Sequence, residues 1–172
     1  EDEEMIQEKS AQFKGSTNVL DHEKIRSAEG ALKCTQMLVE LAQKTNHHLH
    51  ICHLTTYQEV DLLRLLGNQE LITSEVTPQH LLTYAPDVYD FWGTKAQINP
   101  PIRYENHQKA LFKALKEGVI DFIASDHAPH THEEKNQEFG SAPSGMPGVE
   151  TSFPLLLNCM NHGHFTINQL TK

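Results

Sequence analysis

The sequence has few of the features that mark secreted, membrane or disulfide-stabilised proteins. It holds three cysteines in 172 residues, and none of them form a Cys-x-x-Cys pair, so no disulfide framework is expected. No apolar run approaches the ~20 residues that a membrane helix needs. The acidic start, Glu-Asp-Glu-Glu, is unlike the basic and then apolar start of a secretory signal. These absences predict a cytoplasmic protein without a membrane partner.

Several functional classes are also disfavoured. The formal net charge of -9 argues against a nucleic-acid backbone as partner, since phosphate recognition needs positive charge. No glycine-rich phosphate loop follows a predicted strand, and neither a serine nucleophile elbow nor a catalytic cysteine motif occurs. Hydrophobic residues make up 38% of the chain, enough for a core.

Histidine is the abundant residue, with 12 in the chain. Imidazole is the commonest metal ligand and the usual acid or base near neutral pH, so the surroundings of each histidine matter. Six of them lie at polar helix ends or in loops and are predicted to be solvated: His22, His47, His48, His107, His162 and His164. Cys34 and Cys159 lie on predicted helices and are expected to be buried as small apolar residues.

Hydrophobic periodicity predicts alternating helices and strands. Helical spacing marks 28–45, 57–66, 105–117 and 150–160, and apolar or alternating runs mark strands at 48–54, 71–76 and 119–124. Such alternation predicts an α/β fold with a parallel sheet. The polar motifs follow strand ends, as in a (β/α)8 barrel, and 172 residues are well short of the ~250 of a full barrel. A doubly wound sheet is the rival fold.

The segment with the most chemistry is 124–135, Ala-Ser-Asp-His-Ala-Pro-His-Thr-His-Glu-Glu-Lys. Asp126 stands at the end of an apolar strand, where a carboxylate is costly unless it is paired, bound to metal or catalytic. A capping aspartate beside exposed histidines is the structural alternative. The density of histidines favours a functional site at Asp126.

Four weaker segments also lie at predicted strand ends or in loops. His53 ends a strand whose other parity carries His50 and Cys52, and it is a candidate metal ligand. Residues 75–80 end the next strand. The Pro-Pro pair in 99–103 makes a stiff loop suited to holding the Asn99 amide against a substrate. The glycines of 142–148 allow backbone to approach a ligand closely. A bland loop or a satisfied core histidine is the alternative in each case.

Together these segments resemble the dihydroorotase family of the amidohydrolase superfamily. Residues 124–130 and Lys135 are similar to the family's signature loop, and 50–55 resembles its strand with a zinc-ligand histidine. The segment 75–81, Glu-Val-Thr-Pro-Gln-His-Leu, is similar to the family's Glu-Val-Thr-Pro-His-His-Leu, with Gln79 in place of the first histidine. Residues 99–103 and 143–151 match as well, so the resemblance covers nearly the whole chain.

The resemblance implies a single partial catalytic domain, residues 1–172, formed by the later half of a (β/α)8 barrel. Because Glu1-Asp2 resembles the end of a family His-x-Glu-Asp segment, the earlier barrel half and the small β domain are expected to be absent. The implied reaction is the reversible ring closure of N-carbamoyl-L-aspartate to dihydroorotate in pyrimidine synthesis. One or two zinc ions are implied, with His53 and Asp126 as ligands and Asp126 as the proton carrier.

The resemblance further implies that Asn99 and His130 bind substrate, with help from backbone groups at Pro143 and Gly145. Two zinc ligands are fewer than the three of a catalytic site, so the isolated chain is expected to be inactive. Two other hypotheses stay open: a non-catalytic half-barrel acting as scaffold or assembly partner, and another cyclic amidohydrolase such as an allantoinase or hydantoinase. Open sheet edges also allow a homo-oligomer.

Overall fold

The structure, a computed structural model, describes residues 1–67 and 70–170. Its helices are α1 Glu3–Gln12, α2 Asp21–Ile25, α3 Ala28–Thr45, α4 Tyr57–Leu66, α5 Pro78–Leu82, α6 Asp87–Trp92, α7 Glu105–Glu117, α8 His132–Lys135, α9 Ser152–Asn161 and α10 Ile167–Leu170, with a 3₁₀ helix at Gly93–Ala96. The strands are β1 Leu49–Ile51, β2 Ile72–Val76 and β3 Phe122–Ile123. Among the described residues no helix is long and apolar enough to cross a membrane.

The three strands form one parallel sheet in the order β1-β2-β3. Leu49 is in register with Ile72, and Glu75 with Phe122. Helix α4 connects β1 to β2, while α5, α6 and α7 lie between β2 and β3. This strand–helix–strand order is the predicted α/β arrangement, and it brings the carboxyl ends of the strands to one edge.

Side-chain alternation gives the sheet two unlike faces. On one face Ile51, Ser74 and Val76 are buried, and the core around them comes from α3, α4, α7 and α9. On the other face lie His50, Cys52, Thr73, Glu75 and Phe122, which are exposed or half-buried. In a closed barrel such a face points to the interior. The described residues therefore form an open barrel segment, helix-covered outside and uncovered inside.

The helix boundaries follow from local chemistry. Ser27 Oγ accepts the Gly30 N–H at the start of α3, which ends on left-handed Asn46. A reciprocal capping box between Thr56 and Glu59 starts α4, and left-handed Gly118 ends α7. The predicted bounds of these three helices are confirmed.

The strands are shorter than predicted. Val119 and Ile120 are apolar, but both backbone N–H groups donate to Ala114 O and close the end of α7. Single hydrogen bonds continue the ladder beyond the strands, from Leu54 N to Glu75 O and from Ala124 N to Val76 O. Among the short helices that the periodicity does not mark, α2 lies just before α3, and α8 follows β3.

Candidate functional site

The two candidate zinc ligands both follow strand ends and both have unusual backbone. His53 lies two residues after β1 with φ of 37°, and Asp126 lies three residues after β3 with φ of 44°. Non-glycine residues rarely adopt this left-handed region, and such residues cluster at functional sites. His53 is half-buried and Asp126 exposed. Both therefore lie at the carboxyl edge of the sheet, where the sequence predicts them.

A second group of possible metal ligands lies just inside this edge. One ligand atom each from His50, Cys52 and Glu75 lies within 4.8 Å of the others. The His50 Nε2 atom is 3.0 Å from Glu75 Oε2, and its Nδ1 is 2.8 Å from Thr73 Oγ1. The predicted shared face of His50 and Cys52 is confirmed. The sequence analysis did not place Glu75 beside His50 and Cys52. The register between β1 and β2 decides that position, and the sequence leaves the register open.

The electrostatics of this edge favour a cation. Burial raises the pKa of the Cys52 thiol, and the negative charges of Glu75 and Asp126 raise it further. A thiolate there repels its carboxylate neighbours, and a divalent ion relieves that repulsion. Imidazole, carboxylate and thiolate are the ligand types that zinc takes. The donor chemistry of the residues present fits the implied zinc.

The Asn99 side chain is exposed, and buried histidines form hydrogen bonds to the backbone carbonyl groups on either side of it. The Ile98 carbonyl accepts a hydrogen bond from His22 Nε2 at 2.9 Å, and the Pro100 carbonyl accepts one from His80 Nε2 at 2.9 Å. His22 is 5% and His80 2% exposed. Burial lowers the pKa of His22 to about 4 and that of His80 to about 3. Both rings are therefore neutral near pH 7.

These findings correct two of the six histidine predictions. His22 and His107 were expected to be solvated, and both are buried. His107 Nδ1 accepts the Tyr57 N–H at 3.1 Å, and burial lowers its pKa to about 4. The other four are exposed as expected. Cys159 is buried as predicted, whereas Cys34 is only half-buried.

His130, Pro143 and Gly145 come together in the loops after β3. His130 Nε2 lies 3.3 Å from Ser144 O. The Gly145 N–H donates to Gln97 O at 2.9 Å. Gly145 has φ of 150°, and a Cβ there would lie 2.6 Å from Ala128 O, so only glycine fits without a shift. The loops thus pack against residue 97, two positions before Asn99.

Two further contacts tie the loop of Asp126 to its surroundings. Gln79 donates from Nε2 to Ser125 O at 3.2 Å. Gly148 and Val149 donate their N–H groups to His127 Nδ1 at 3.0 and 3.2 Å. Both Gln79 and His127 therefore anchor the backbone beside Asp126.

Comparison with known proteins identifies relatives of the chain. A scan of protein-family models gives no match. A dihydroorotase from Methanosarcina acetivorans is 37% identical over 177 residues, covering 99% of this chain and 38% of that protein. The dihydroorotase of Bacillus subtilis is 42% identical over 134 residues, covering 77% of this chain and 31% of that protein. The chain spans about two fifths or less of these relatives.

Solved structures show the same fold. The L-hydantoinase from Arthrobacter aurescens superposes with a TM-score of 0.91 at 26% identity, over 98% of this chain and 39% of that one. A dihydropyrimidinase from Brevibacillus agri superposes with a TM-score of 0.85 at 24% identity, over 96% of this chain and 38% of that one. The expectation of a partial barrel is confirmed. The chain is therefore a member of the amidohydrolase superfamily, related in sequence to the dihydroorotases, and it corresponds to part of a (β/α)8 barrel.

Proposed function

We propose that this chain is the later part of the barrel of a dihydroorotase, and that the complete protein acts in cytoplasmic pyrimidine synthesis. The observation that carries the proposal is the 37% identity to a dihydroorotase across 99% of the chain. The strand-end positions of His53 and Asp126 support it, because active sites of such barrels lie at the carboxyl ends of the strands. Residues 1–172 would form one partial catalytic domain.

The metal would be zinc, held by His53 and Asp126 together with ligands from the rest of the barrel. A zinc ion bound there lowers the pKa of bound water to ~7 and polarises a carbonyl group. The neighbouring His50, Cys52 and Glu75 add to the negative and imidazole-rich character of this edge. Their arrangement offers a second, incomplete ligand set.

Asp126 is proposed as the proton carrier. Ring closure joins the terminal carbamoyl nitrogen to the side-chain carboxyl carbon of N-carbamoyl-L-aspartate and releases water. In the reverse direction the Asp126 carboxylate takes a proton from the attacking water and gives it to the ring nitrogen as the C–N bond breaks. The exposure of Asp126 at the strand end leaves its carboxylate accessible to a substrate.

The substrate would be held by Asn99, His130 and the backbone at Pro143 and Gly145. The packing of Gly145 N on Gln97 O brings the segment of Asn99 and the loop of His130 side by side. A dicarboxylate substrate with a urea-like end offers acceptors to His130 and donors to the Asn99 carbonyl.

Two other functions are favoured by particular observations. The hydantoinase likeness, with a TM-score of 0.91, favours a cyclic ureide other than dihydroorotate as substrate. The uncovered face with His50 and Phe122 favours a non-catalytic barrel segment that assembles with another chain or with its own copy. The two alternatives differ from the proposal, and from each other, in the substrates that the purified protein should turn over.

The test is a substrate panel with the complete, zinc-loaded protein. We expect turnover of N-carbamoyl-L-aspartate and dihydroorotate well above that of hydantoin, dihydrouracil and allantoin. Preference for hydantoin or dihydrouracil would replace the proposal with a hydantoinase function. No turnover of any of them would favour the scaffold. The isolated 172-residue chain with added zinc is expected to be inactive, and robust turnover by it would contradict the need for further ligands.

A further inference from the structure

The segment 97–100, which presents Asn99, has its carbonyl groups held by buried side chains from three different helices. His22 of α2 binds the carbonyl of Ile98, and His80 of α5 binds that of Pro100. Lys135 of α8 binds that of Gln97. We refer to His22, His80 and Lys135 as the cradle. Asn99 itself is exposed between these anchored neighbours.

His22 makes a directional contact. A carbonyl oxygen only accepts hydrogen bonds, so the Nε2 atom 2.9 Å from Ile98 O must carry the proton. The ring is set edge-on against Phe139, with centroids 5.7 Å apart, and the Asn99 side chain also interacts with it. The ring is thus fixed in both position and tautomer.

His80 repeats this arrangement from the other side. Its Nε2–H donates to Pro100 O at 2.9 Å, and its Nδ1 lies 2.8 Å from Thr77 Oγ1. Thr77 Oγ1 in turn accepts the backbone N–H of His80 at 3.3 Å and so donates its own proton to Nδ1. With 2% of its surface exposed, His80 has no solvent partner to compete with Pro100.

Lys135 joins the two regions proposed to bind substrate. Its Nζ donates to Gln97 O and to Pro143 O, each at 2.9 Å. The side chain is 7% exposed, and both of these partners are carbonyl oxygens rather than carboxylates. Burying an amine against neutral acceptors costs free energy, so this contact is better explained by fixing loop geometry than by stability.

We propose that His22, His80 and Lys135 are positioning residues that hold Asn99 in a preorganised geometry for substrate, at a fixed distance from the loop of Pro143. This inference rests on the proposed function, since it deepens the role of Asn99 there. Preorganised polar groups bind a transition state without first losing conformational entropy. Release of the segment should therefore lower kcat/KM about 10- to 100-fold.

Matched variants separate positioning from simple packing. In the complete protein, His22→Leu and His80→Leu remove the N–H donor, whereas His22→Gln and His80→Gln keep one. We expect the leucine variants to lower kcat/KM and the glutamine variants to restore most of it, with zinc content unchanged. Each leucine change is also made together with Asn99→Ala, where it should cause little further loss because Asn99 no longer has a role to lose.

The inference would be overturned if His22→Leu and His80→Leu lowered kcat/KM by the same factor with Asn99 present as in the Asn99→Ala background. The leucine changes would then act on the protein in general and not through Asn99. Amide hydrogen exchange supplies a readout independent of turnover. Exchange in residues 97–103 should rise in the leucine variants and not in the glutamine variants, and unchanged exchange would contradict the cradle. An inactive wild-type protein with the expected exchange behaviour would instead refute the proposed function and leave the cradle supported.

Discussion

His22 and His80 are the residues whose surroundings differ most from those of an ordinary histidine. Both are buried, neutral donors to carbonyl oxygens, and their pKa values lie near 4 and 3 against the ordinary value of 6.5. His22 faces Arg26, Arg103, Asn99 and Phe139. The positive charges of Arg26 and Arg103 add to the cost of protonating His22, so acid should weaken the fold through these sites.

The stability of the fold should depend on pH through His22 and His80. The unfolded chain takes up protons on these histidines near pH 6.5, whereas the folded chain does so only near pH 4 to 3. The free energy of unfolding should therefore be fully retained above about pH 6.5 and fall as the pH is lowered towards 4, by up to ~1.4 kcal/mol per pH unit and histidine. Urea unfolding of this chain between about pH 7.5 and 4.5 measures it.

The matched variants use one buried and one exposed histidine. His22→Gln should reduce the dependence on pH between about 6.5 and 4.5 by the share of one histidine, because His80 and His107 keep their lowered pKa values. His48→Gln, at an exposed position, should leave the dependence unchanged. The same slope in wild type and His22→Gln would show that acid acts elsewhere.

Gly145 lies where a larger residue would collide with the neighbouring loop. An added Cβ would lie 2.6 Å from Ala128 O and 2.9 Å from His130 Nε2, at φ of 150°. Gly145→Ala should lower the free energy of unfolding by about 1–3 kcal/mol. Gly163→Ala is the control, because its φ is 75° but nothing lies within 4 Å of the added atom. Urea unfolding should show a larger loss at Gly145; equal losses would mean that the close approach to Ala128 is relieved at no cost.

The sequence predicts some of the site residues and misses others for a physical reason. The strand-end positions of His53 and Asp126 follow from local pattern. The burial of His22 depends on Ile98, 76 residues away in sequence, and no local pattern around His22 reports it. The contact of Lys135 with Gln97 likewise spans 38 residues. Local patterns show which residues carry chemistry, and tertiary contacts decide which of them are held rigid.

Among the elements, α4 has the most specific start. Glu59 is buried, and its carboxylate accepts from Thr35 Oγ1 at 2.8 Å, Thr56 Oγ1 at 2.8 Å and Thr56 N at 3.2 Å. The carboxylate thus connects α3 to α4 as well as closing the capping box. This start comes directly after the His53 turn, so the helix fixes the backbone behind a proposed zinc ligand.

The capping boxes of α4 and α8 differ in burial. Thr56→Ala should lower the free energy of unfolding by about 1–2 kcal/mol, because a cap is lost and a buried carboxylate loses a donor. Thr131→Ala removes the same cap from the exposed box of α8, where Thr131 Oγ1 accepts from Glu134 N at 3.2 Å, and should cost less. Thermal or urea unfolding compares them; an equal loss at Thr131 would show that burial adds nothing at Thr56.

Helices are easier to predict here than strands. The caps at Ser27, Thr56 and Gly118 lie within the local sequence and mark helix ends to the residue. The end of a strand depends on how far the neighbouring strand continues beside it. Residues 119 and 120 are as apolar as a strand but close α7, so an apolar run alone overestimates β3.

For the molecule as a whole, the unlike faces of the sheet are the main feature. Phe122 is 50% exposed on the face with His50 and Glu75, and β1 and β3 are edge strands among the described residues. Exposed apolar groups and open edges favour association. This chain covers only 31–38% of the two dihydroorotase relatives, so the remainder of such a protein is long enough to cover this face.

The prediction at this scale is that the isolated chain self-associates through the uncovered face. Sedimentation velocity at micromolar concentrations should show species larger than a monomer, and Phe122→Ser should shift them towards the monomer. Leu65→Ser is the control, since Leu65 is 87% exposed on α4, away from that face. A wild-type chain that stays monomeric at every concentration would rule out this association.

We propose that His53 and Asp126 form part of the zinc centre of a cyclic amide hydrolase. The most direct measurement determines zinc content and dihydroorotate turnover together in the complete protein, for wild type, His53→Ala, Asp126→Ala and the exposed-histidine control His48→Ala. We predict that His53→Ala and Asp126→Ala lose bound zinc and lower turnover by at least ~10³-fold, the scale on which removal of a key catalytic group acts, while His48→Ala matches wild type. Asp126→Ala with wild-type zinc content and a rate within a few-fold of wild type would contradict the roles proposed for Asp126 as zinc ligand and proton carrier.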